Sequence, residues 1–524
     1  MSLTPHGPGF SFLDAFEVTA AGREGRGRKW LDPHLSFFAD HFPGRPLMPA
    51  VLLIECAAQA AGALWASTLA ANVPAHFILA QVVQFKIEQP VRPGDTLETD
   101  VTLEKVFGDL AQFAATLRVN QIEVTPTRNL GLDEVPDNSI ERIKSRREAF
   151  ARGCPDGRMT WAISWLALTD TRQQYKDARR LLANYHDRYG DEITFIPGGY
   201  FAPMYNTRAQ IRDQIHDALK LITKMAGGGY RPESIVAGYM DAENQRLLAT
   251  EEGIHVCQGQ IWSQHAIDNG DGDGGICYPY YPSREHYLKP AQGAADFIDC
   301  VCLDGWTCDF LSARRDGFEG GFNSRMGVGP IETVGNPKLG IIGGRKEMMD
   351  TTAMHFDTGH ALNGFGFVTG IWEVSIGRDE DLTYWLQAVR ERWPNTRAMT
   401  EGAFGLEWRK HTPNNNSLNY RFDAKGTGAP GSEKELEIEW FMNREFRLAL
   451  LRNWETGGPA SVIDFTRYDL KAEEPATPQR EWSLMNVLNQ KGTRPQDKPM
   501  RLGAMSADDQ RRIYARYPEL KKLI

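Results

Sequence analysis

The stretch that decides the fold of the N-terminal region is Asp40–Gln59, which reads DHFPGRPLMPAVLLIECAAQ. Pro49 is suited to the first turn of a helix, where its missing N–H is no loss. The apolar run that follows predicts a helix buried in a soluble domain, with the backbone N–H of Ala50 pointing out of its positive end. His41 lies on the loop before this helix, and Glu55 lies one to two turns inside it.

These residues supply the groups needed to eliminate water beside a thioester. Desolvation among leucines raises the pKa of a carboxyl group, so we expect Glu55 to hold a proton near neutrality. His41 can then remove the proton next to the carbonyl, the N–H groups can hold the enolate oxygen, and Glu55 can protonate the departing hydroxyl. Gln59, one turn further on the same face, can orient Glu55. Taken singly, a loop histidine is more often a helix cap and a helix glutamate usually faces solvent, so only the joint pattern indicates catalysis.

The joint pattern resembles a known family. The string HFPGRPLMP, with a glutamate fourteen residues after the histidine and a glutamine four residues later, closely resembles the 3-hydroxyacyl-acyl carrier protein dehydratases of the hot-dog fold. The resemblance covers about residues 9–120. It implies that His41 is the base, Glu55 the acid and the N–H of Ala50 the oxyanion donor. It also implies acyl carrier protein as the partner, no cofactor, and a homodimer whose protomers contribute the histidine and the glutamate separately.

The region departs from the family pattern at three places. Asp40 stands where the family usually has glycine, and Ala50 replaces the glycine of its M-P-G, so that a Cβ crowds the substrate side of the helix start. The family also adds a strand after the segment matching Phe113–Asn120, and only Gln121–Thr125 is left to supply it here. A shortened domain or an unusual fusion is therefore expected.

Composition narrows the class of protein. The 524 residues carry a net charge of −9, which argues against a nucleic-acid-binding protein. The apolar stretch Val51–Ala71 is rich in alanine and contains Glu55 and Gln59, so we expect no membrane span. The N-terminus shows no secretory signal, and seven cysteines without a zinc-ligand spacing predict buried thiols in a cytoplasmic protein.

The pattern of strands and helices predicts three parts. The first, residues 1–122, is an α+β domain with one long helix among antiparallel strands. In the second, residues 123–395, strands such as TWAISWLAL and EITFIPGGYF alternate with amphipathic helices, which predicts an α/β (β/α) barrel. Later barrel strands are expected at TAMHFD and FGFVTGIWEV. The third, residues 396–524, is expected to be a β-rich C-terminal appendage with strands at AFGLEWRK, LNYRFDAK and KELEIEWF, followed by a wrapping tail.

The larger part of the chain resembles an uncharacterised bacterial family known only as a domain of unknown function. Matching strings include GGGYRPESIVAGY, EEGIHVCQGQIWSQHAIDNGDGDGG and GFNSRMGVGPIET, within residues 121–524. More loosely, it is similar to barrels of the polysaccharide deacetylase and glycoside hydrolase kind, which implies a carbohydrate ligand only by analogy of fold.

Barrel chemistry lies at the carboxyl ends of the strands, so polar residues there are the candidates. The acidic candidates are Asp170, Asp241, Asp304, Glu332, Asp357 and Glu373. Two of these carboxylates about 5–9 Å apart would suit glycoside cleavage. His355 and His360, with an aspartate, would instead hold a divalent metal for deacetylation, although such histidine pairs are more often unrelated. The glycine-rich loop Asp268–Gly275 has acids at positions unlike those of an EF-hand.

Three hypotheses follow. The first is a dehydratase domain fused to a carbohydrate-directed barrel. The second is a carbohydrate hydrolase or deacetylase whose hot-dog segment only dimerises. In the third, the hot-dog segment binds acyl chains without catalysis.

Overall fold

The structure of the protein is a computed structural model of the 524-residue chain. It describes residues 10–32, 35, 37–41, 46–69, 78–82, 91–93, 95–107, 110–119, 139–262, 274–312, 318–319, 322–323, 327–329, 333–375, 377–479, 482–488 and 499–523. The chain forms two compact units, Met1–Thr125 and Pro126–Ile524, which are described separately.

The first unit is one antiparallel sheet with a helix against it. Its elements are β1 (Ala15–Ala20), β2 (Glu24–Trp30), α1 (Phe37–Asp40), α2 (Ala50–Ala66), β3 (Thr96–Phe107) and β4 (Leu110–Val119). The strands pair in the order β1-β2-β3-β4. Leu53, Cys56 and Leu64 of α2 are buried over Leu97 and Val101 of β3, as expected for a helix with one apolar face on a sheet. The α+β prediction for this region is confirmed.

The apolar pattern of Phe77–Val91 predicts a strand after α2, and this strand is not formed in its described part. Residues 78–82 have no regular secondary structure, and residues 83–90 lie outside the described residues. The segment Gln121–Thr125, the last candidate strand of this unit, also lies outside them.

The second unit begins with alternating helices and parallel strands. Its first elements are α3 (Ile140–Gly153), β5 (Thr160–Ser164), α4 (Trp165–Thr169), α5 (Gln173–Tyr189), β6 (Glu192–Ile196), α6 (Ala202–Tyr205), α7 (Arg208–Ala226), β7 (Ile235–Val236), α8 (Ala242–Leu247), β8 (Val256–Gln260) and β9 (Val301–Asp304). β5 pairs with β6, and β7, β8 and β9 form a second parallel sheet. Phe201 and Tyr239 add a parallel bridge between the segments that follow β6 and β7.

Within the described residues, the later barrel strands predicted from the sequence are not formed, so this prediction is wrong. The elements that follow are β10 (Phe318–Glu319), β11 (Phe322–Asn323), α9 (Gly340–Ala353), α10 (His360–Asn363), α11 (Asp379–Arg392) and α12 (Glu401–His411). The predicted strand TAMHFD lies at the end of α9 and in the π-helical turn Met354–Gly359. FGFVTGIWEV, residues 365–374, has no regular secondary structure. Short apolar runs do not distinguish a buried strand from a buried helix, which explains the first error.

AFGLEWRK is also a helix rather than a strand, because it lies in α12. The side chain of Thr400 caps this helix by accepting from the N–H of Ala403 at 3.2 Å. Gly402, Gly405 and Trp408 are buried at a spacing of three residues, which is a helical period.

The predicted β-rich appendage is a four-stranded antiparallel sheet. Its strands are β12 (Asn419–Lys425), β13 (Leu436–Asn443), β14 (Phe446–Asn453) and β15 (Ser461–Arg467), in that order. Two helices follow, α13 (Leu484–Leu488) and α14 (Ala507–Arg516). One face of the sheet joins the largest apolar core of the unit, while Phe441, Phe446 and Leu448 pack with Ile513 and Tyr517.

Candidate active site

The helix start in the first unit is built by Pro49. Pro49 is the residue before α2, with φ −58° and ψ 138°, so it lies one residue earlier than the first-turn position that the sequence suggested. Its carbonyl accepts from the N–H of Leu52 at 2.9 Å and of Leu53 at 3.3 Å. The N–H groups of the first turn cannot pair within the helix, which leaves a positive end with exposed Ala50 at its start.

His41 lies directly after the short helix α1. Its N–H donates to the carbonyl of Phe37 at 3.0 Å, and its own carbonyl accepts from Leu47 N–H at 2.7 Å. The ring nitrogen Nδ1 is 3.2 Å from the carbonyl oxygen of Leu47. A carbonyl only accepts, so this contact places the proton on Nδ1 and the lone pair of a neutral ring on Nε2. Residues 42–45 of the motif lie outside the described residues.

The carboxylate of Glu55 is held by Gln59. Nε2 of Gln59 donates to Oε1 of Glu55 at 2.9 Å and to the carbonyl of Phe10 at 3.0 Å. Oε1 of Gln59 accepts from the N–H of Phe12 at 2.8 Å, which fixes the amide orientation. Gln59 is buried, whereas Glu55 is half-buried in the single chain. The contact expected from their spacing on one helix face is therefore present, and the roles of the two residues stay predictions.

The neighbouring thiol of Cys56 is buried in the core of this unit. Burial, and then the charge of Glu55, raise the pKa of Cys56 to about 12, so the thiol is neutral at physiological pH. All seven cysteines of the chain are buried, which confirms the prediction of core thiols. Throughout the described ranges, every helix is too short or too polar to cross a membrane.

In the second unit, two of the candidate acids accept hydrogen bonds from backbone N–H groups. Asp241 is fully buried and caps α8, where it accepts from the N–H of Asn244 at 3.0 Å. Asp304 ends β9 and accepts from the N–H of Trp262 at 2.6 Å and of Trp306 at 3.2 Å. Both follow strand ends, as predicted, and both already have structural partners.

The other acidic candidates have separate surroundings. Asp170 follows α4, and its hydrogen bond to Arg172 lowers its pKa. Asp357 is exposed and pairs with Arg392 at 2.6 Å. The carbonyl of Glu373 accepts from Arg146 at 3.3 Å. Glu332 lies outside the described residues, as does most of the loop Asp268–Gly275.

The two histidine candidates lie in different environments. His355 is buried with its ring stacked on Tyr278 and Phe310, and burial lowers its pKa to about 3. Its Nδ1 is 3.2 Å from the hydroxyl of Tyr278. His360 is exposed on α10. Over the part of the chain that the structure describes, no three His, Cys, Asp or Glu side chains are grouped closely enough to hold a metal ion.

Sequence reasoning missed several buried acids. Burial and then the neighbouring Asp309 raise the pKa of Glu347 well above its ordinary value. Burial and then Asp241 raise that of Glu474 to about 8, although its carboxylate accepts from the N–H of Ala242 and of Tyr287. No local pattern distinguishes such acids from surface ones, because their burial depends on segments distant in sequence.

The family models distinguish an N-terminal part of the chain from a larger C-terminal part, and two of them overlap at residues 106–124. Residues 18–124 match the model described as ApeI dehydratase. Residues 106–442 match DUF3863, a domain of unknown function with a solved structure, and residues 447–520 match the related description DUF3864.

Curated relatives match the first unit. A 3-hydroxyacyl-[acyl-carrier-protein] dehydratase FabZ of Herpetosiphon aurantiacus is 36% identical over 106 residues, covering 20% of this chain and 74% of the relative. The FabZ of Escherichia coli is 33% identical over 121 residues, covering 23% of this chain and 80% of the relative.

Two solved structures are similar to parts of the chain. A protein of Parabacteroides distasonis, provisionally described as a glycoside hydrolase/deacetylase, is 48% identical with a TM-score of 0.70, covering 74% of this chain and 93% of that one. The dehydratase heterocomplex ApeI:P of Xenorhabdus doucetiae is 27% identical over 20% of this chain and 88% of that one, with a TM-score of 0.16.

Proposed function

The chain belongs to the DUF3863 family and carries an N-terminal region of the FabZ dehydratase family, and from this premise we propose that it is a hydro-lyase fused to a carbohydrate-directed domain. The N-terminal region removes water from a 3-hydroxyacyl thioester on acyl carrier protein. No cofactor takes part in this reaction. The protein acts in the cytoplasm as a homodimer, with His41 of one protomer facing Glu55 of the other.

The reaction uses three groups of this region. Nε2 of His41 takes the proton from the carbon next to the thioester carbonyl. The N–H of Ala50 stabilises the negative charge that moves to the carbonyl oxygen. The electron pair then forms the carbon–carbon double bond as the C–O bond at the β-carbon breaks, and the carboxyl of Glu55 gives its proton to the departing hydroxyl. The products are the enoyl thioester and water.

The observation that carries this proposal is the hydrogen bond from Gln59 to Glu55. Because Nε2 of Gln59 donates a hydrogen bond to Oε1 of Glu55, the proton of a neutral Glu55 lies on Oε2. Gln59 is itself fixed by Phe10 and Phe12, so the orientation of the acid is set before substrate binds. A surface glutamate without a catalytic role has no need of a buried amide for its orientation.

The test is hydration of a crotonyl thioester, the reverse reaction, by the full chain and three variants. His41→Ala and Glu55→Gln are each expected to lower kcat by about 10²-fold or more, the usual contribution of a general acid or base. Glu24→Gln, an exposed glutamate on β2, is the matched control and is expected to keep full activity. Unchanged hydration in His41→Ala would exclude the dehydratase, and acyl binding without turnover would favour a binding module.

A carbohydrate-directed role for the second unit rests on its similarity to the Parabacteroides distasonis protein over 74% of this chain. We expect the parallel strands β5 to β9 to form part of a (β/α) barrel, with Asp304 at the carboxyl end of β9. A screen of oligosaccharides and acetylated sugars, with and without chelator, tests this role and its requirement for a divalent metal. Activity lost in Asp304→Asn would support it, and complete inactivity of the folded chain would contradict it.

A further inference from the structure

We propose that a groove on the outer face of the second unit, between α5 and α7, binds an acidic amphipathic helix of a partner protein. The groove has a volume of about 530 Å³. It is lined by Leu168, Lys176, Arg179, Arg180, Ala183, Asn184, Asp187, Leu221, Lys224 and Met225. None of the candidate catalytic residues described above is among the residues that line the groove, although the carbonyl of Asp170 accepts from Arg179 at its rim.

The shape of the groove suits a helix. Its α5 residues run from Lys176 to Asp187 at spacings of three and four, so they form one face of that helix. From Lys176 to Asp187 the helix rises about 16 Å, or about three turns. A groove of that length, open along its side, fits three turns of a second helix, the helix-in-groove mode of recognition.

The floor of the groove is apolar. Leu168 at the end of α4, Ala183 on α5, and Leu221 and Met225 on α7 supply it. The small side chain of Ala183 near the middle lets a second helix approach closely. Met225 is an unbranched side chain that adapts to different partners. An apolar stripe on the bound helix would cover this floor.

The rim of the groove is basic, although the chain as a whole carries a net charge of −9. Four of the residues that line the groove are cations, and one other, Asp187, is a carboxylate. Lys176 and Lys224 are exposed and have no acidic partner within ion-pair distance among the described residues. They therefore remain available to acidic side chains of a partner.

The two arginines of the groove already have partners within the second unit. Arg179 donates to the carbonyl of Ala167 at 2.6 Å and of Asp170 at 2.8 Å, which fixes its position. Arg180 pairs with Asp177 at 3.0 Å, and both side chains are exposed. The two lysines are thus the residues to change in a test.

The experiment measures binding of a fluorescent synthetic peptide, with leucine and alanine on one helical face and glutamate on the other, to the full chain. The peptide is expected to bind, and added salt is expected to weaken binding. Lys176→Glu with Lys224→Glu is expected to weaken binding by about tenfold or more, because two attractions become repulsions. Lys220→Glu is the control, since Lys220 lies on α7 outside the groove and pairs with Asp217 at 3.1 Å.

Circular dichroism and thermal melting establish that each variant is folded. Because the assay measures peptide binding, its result does not depend on dehydratase activity. The proposal is overturned if the peptide does not bind the native chain or if Lys220→Glu weakens binding as much as the double change. Displacement of the peptide by inorganic pyrophosphate at equal concentration would also overturn it, because the groove would then be a site for a small phosphate-bearing molecule.

Discussion

At the scale of single residues, Gln59 has the most consequential contacts in the first unit. The buried amide of Gln59 joins Glu55 to the backbone of Phe10 and Phe12. These two residues lie 49 and 47 residues before Gln59 in the chain. The position of the acid is therefore coupled to the packing of the N-terminal segment on α2. Spacing on a helix predicted the contact with Glu55, but no sequence pattern predicted the contacts with residues so distant.

Gln59→Met tests both roles of Gln59, the orientation of Glu55 and the packing of the N-terminal segment on α2. The thioether cannot replace the hydrogen bonds, and leaving the buried N–H of Phe12 without its acceptor costs about 1–3 kcal/mol. Denaturant unfolding should show this loss. In the hydration assay kcat should fall about tenfold with KM unchanged, because only the orientation of the acid is lost. Equal activity of Gln59→Met and native protein would exclude a positioning role for Gln59.

A second prediction concerns Glu401 in the second unit. Its Oε2 is buried with no hydrogen-bond partner among the described residues, and burial, with the charges of Glu192 and Asp304, raises its pKa to about 8 from 4.5. Between these values the folded chain keeps a proton that the unfolded chain releases. The contribution of Glu401 to the free energy of unfolding should therefore fall as pH rises from 4.5 to 8.

Glu401→Gln should remove this part of the pH dependence, as measured by denaturant unfolding at both ends of that window. The matched control is Glu407→Gln on the same helix, α12. Arg397 holds Glu407 ionised and lowers its pKa, so this change should not flatten the profile. An identical profile in native protein and Glu401→Gln would show that Glu401 is ionised throughout.

At the scale of elements, the sequence predicted secondary structure best where the apolar period and the flanking turn residues indicated the same element. The helix after Pro49 forms where an apolar pattern is bounded by turn residues. TWAISWLAL and EITFIPGGYF form strands only in their first halves, Thr160–Ser164 and Glu192–Ile196, because the chain continues as the helix α4 and as a 3-10 turn at Pro197–Gly199. TAMHFD and AFGLEWRK are short apolar runs without such bounds, and both are helical. Their conformation depends on packing against segments far away in the chain, which a local pattern does not contain.

The appended sheet contains a buried ion pair that gives a prediction at this scale. Nη2 of Arg447 on β14 is 2.5 Å from Oδ2 of Asp464 on β15, and both side chains are fully buried. Arg447→Met leaves Asp464 as an unpaired buried charge and is expected to lower the free energy of unfolding by about 3–5 kcal/mol. Adding Asp464→Leu should restore most of the loss, as measured by denaturant unfolding.

The control for this prediction is Arg511→Met on α14. Arg511 is largely exposed and pairs with Asp508 at 2.9 Å, so its removal should cost less than about 1 kcal/mol. Equal losses in Arg447→Met and Arg511→Met would contradict the account of the buried pair.

At the scale of the whole molecule, the chain joins two units with different chemistry. The sequence predicts a dehydratase site in the first unit because a proline, a histidine and two helix-spaced polar side chains lie within twenty residues, and the roles of these residues stay predictions. It predicted far less of the second unit, where the candidate acids come from separate strand ends, and the structure gives each described one its own partners. Chemistry assembled from distant segments is specified by the fold rather than by any one motif.

The central claim is that His41 and Glu55 form a shared dehydratase site, and complementation tests it most directly. Crotonyl-thioester hydration is measured for His41→Ala, for Glu55→Gln, and for the two variants after their subunits have exchanged. In a dimer whose sites combine both protomers, each mixed dimer regains one complete site. Random exchange should therefore restore about a quarter of native activity, while each variant alone stays inactive. Full activity of either variant alone, or no recovery after verified exchange, would contradict the claim.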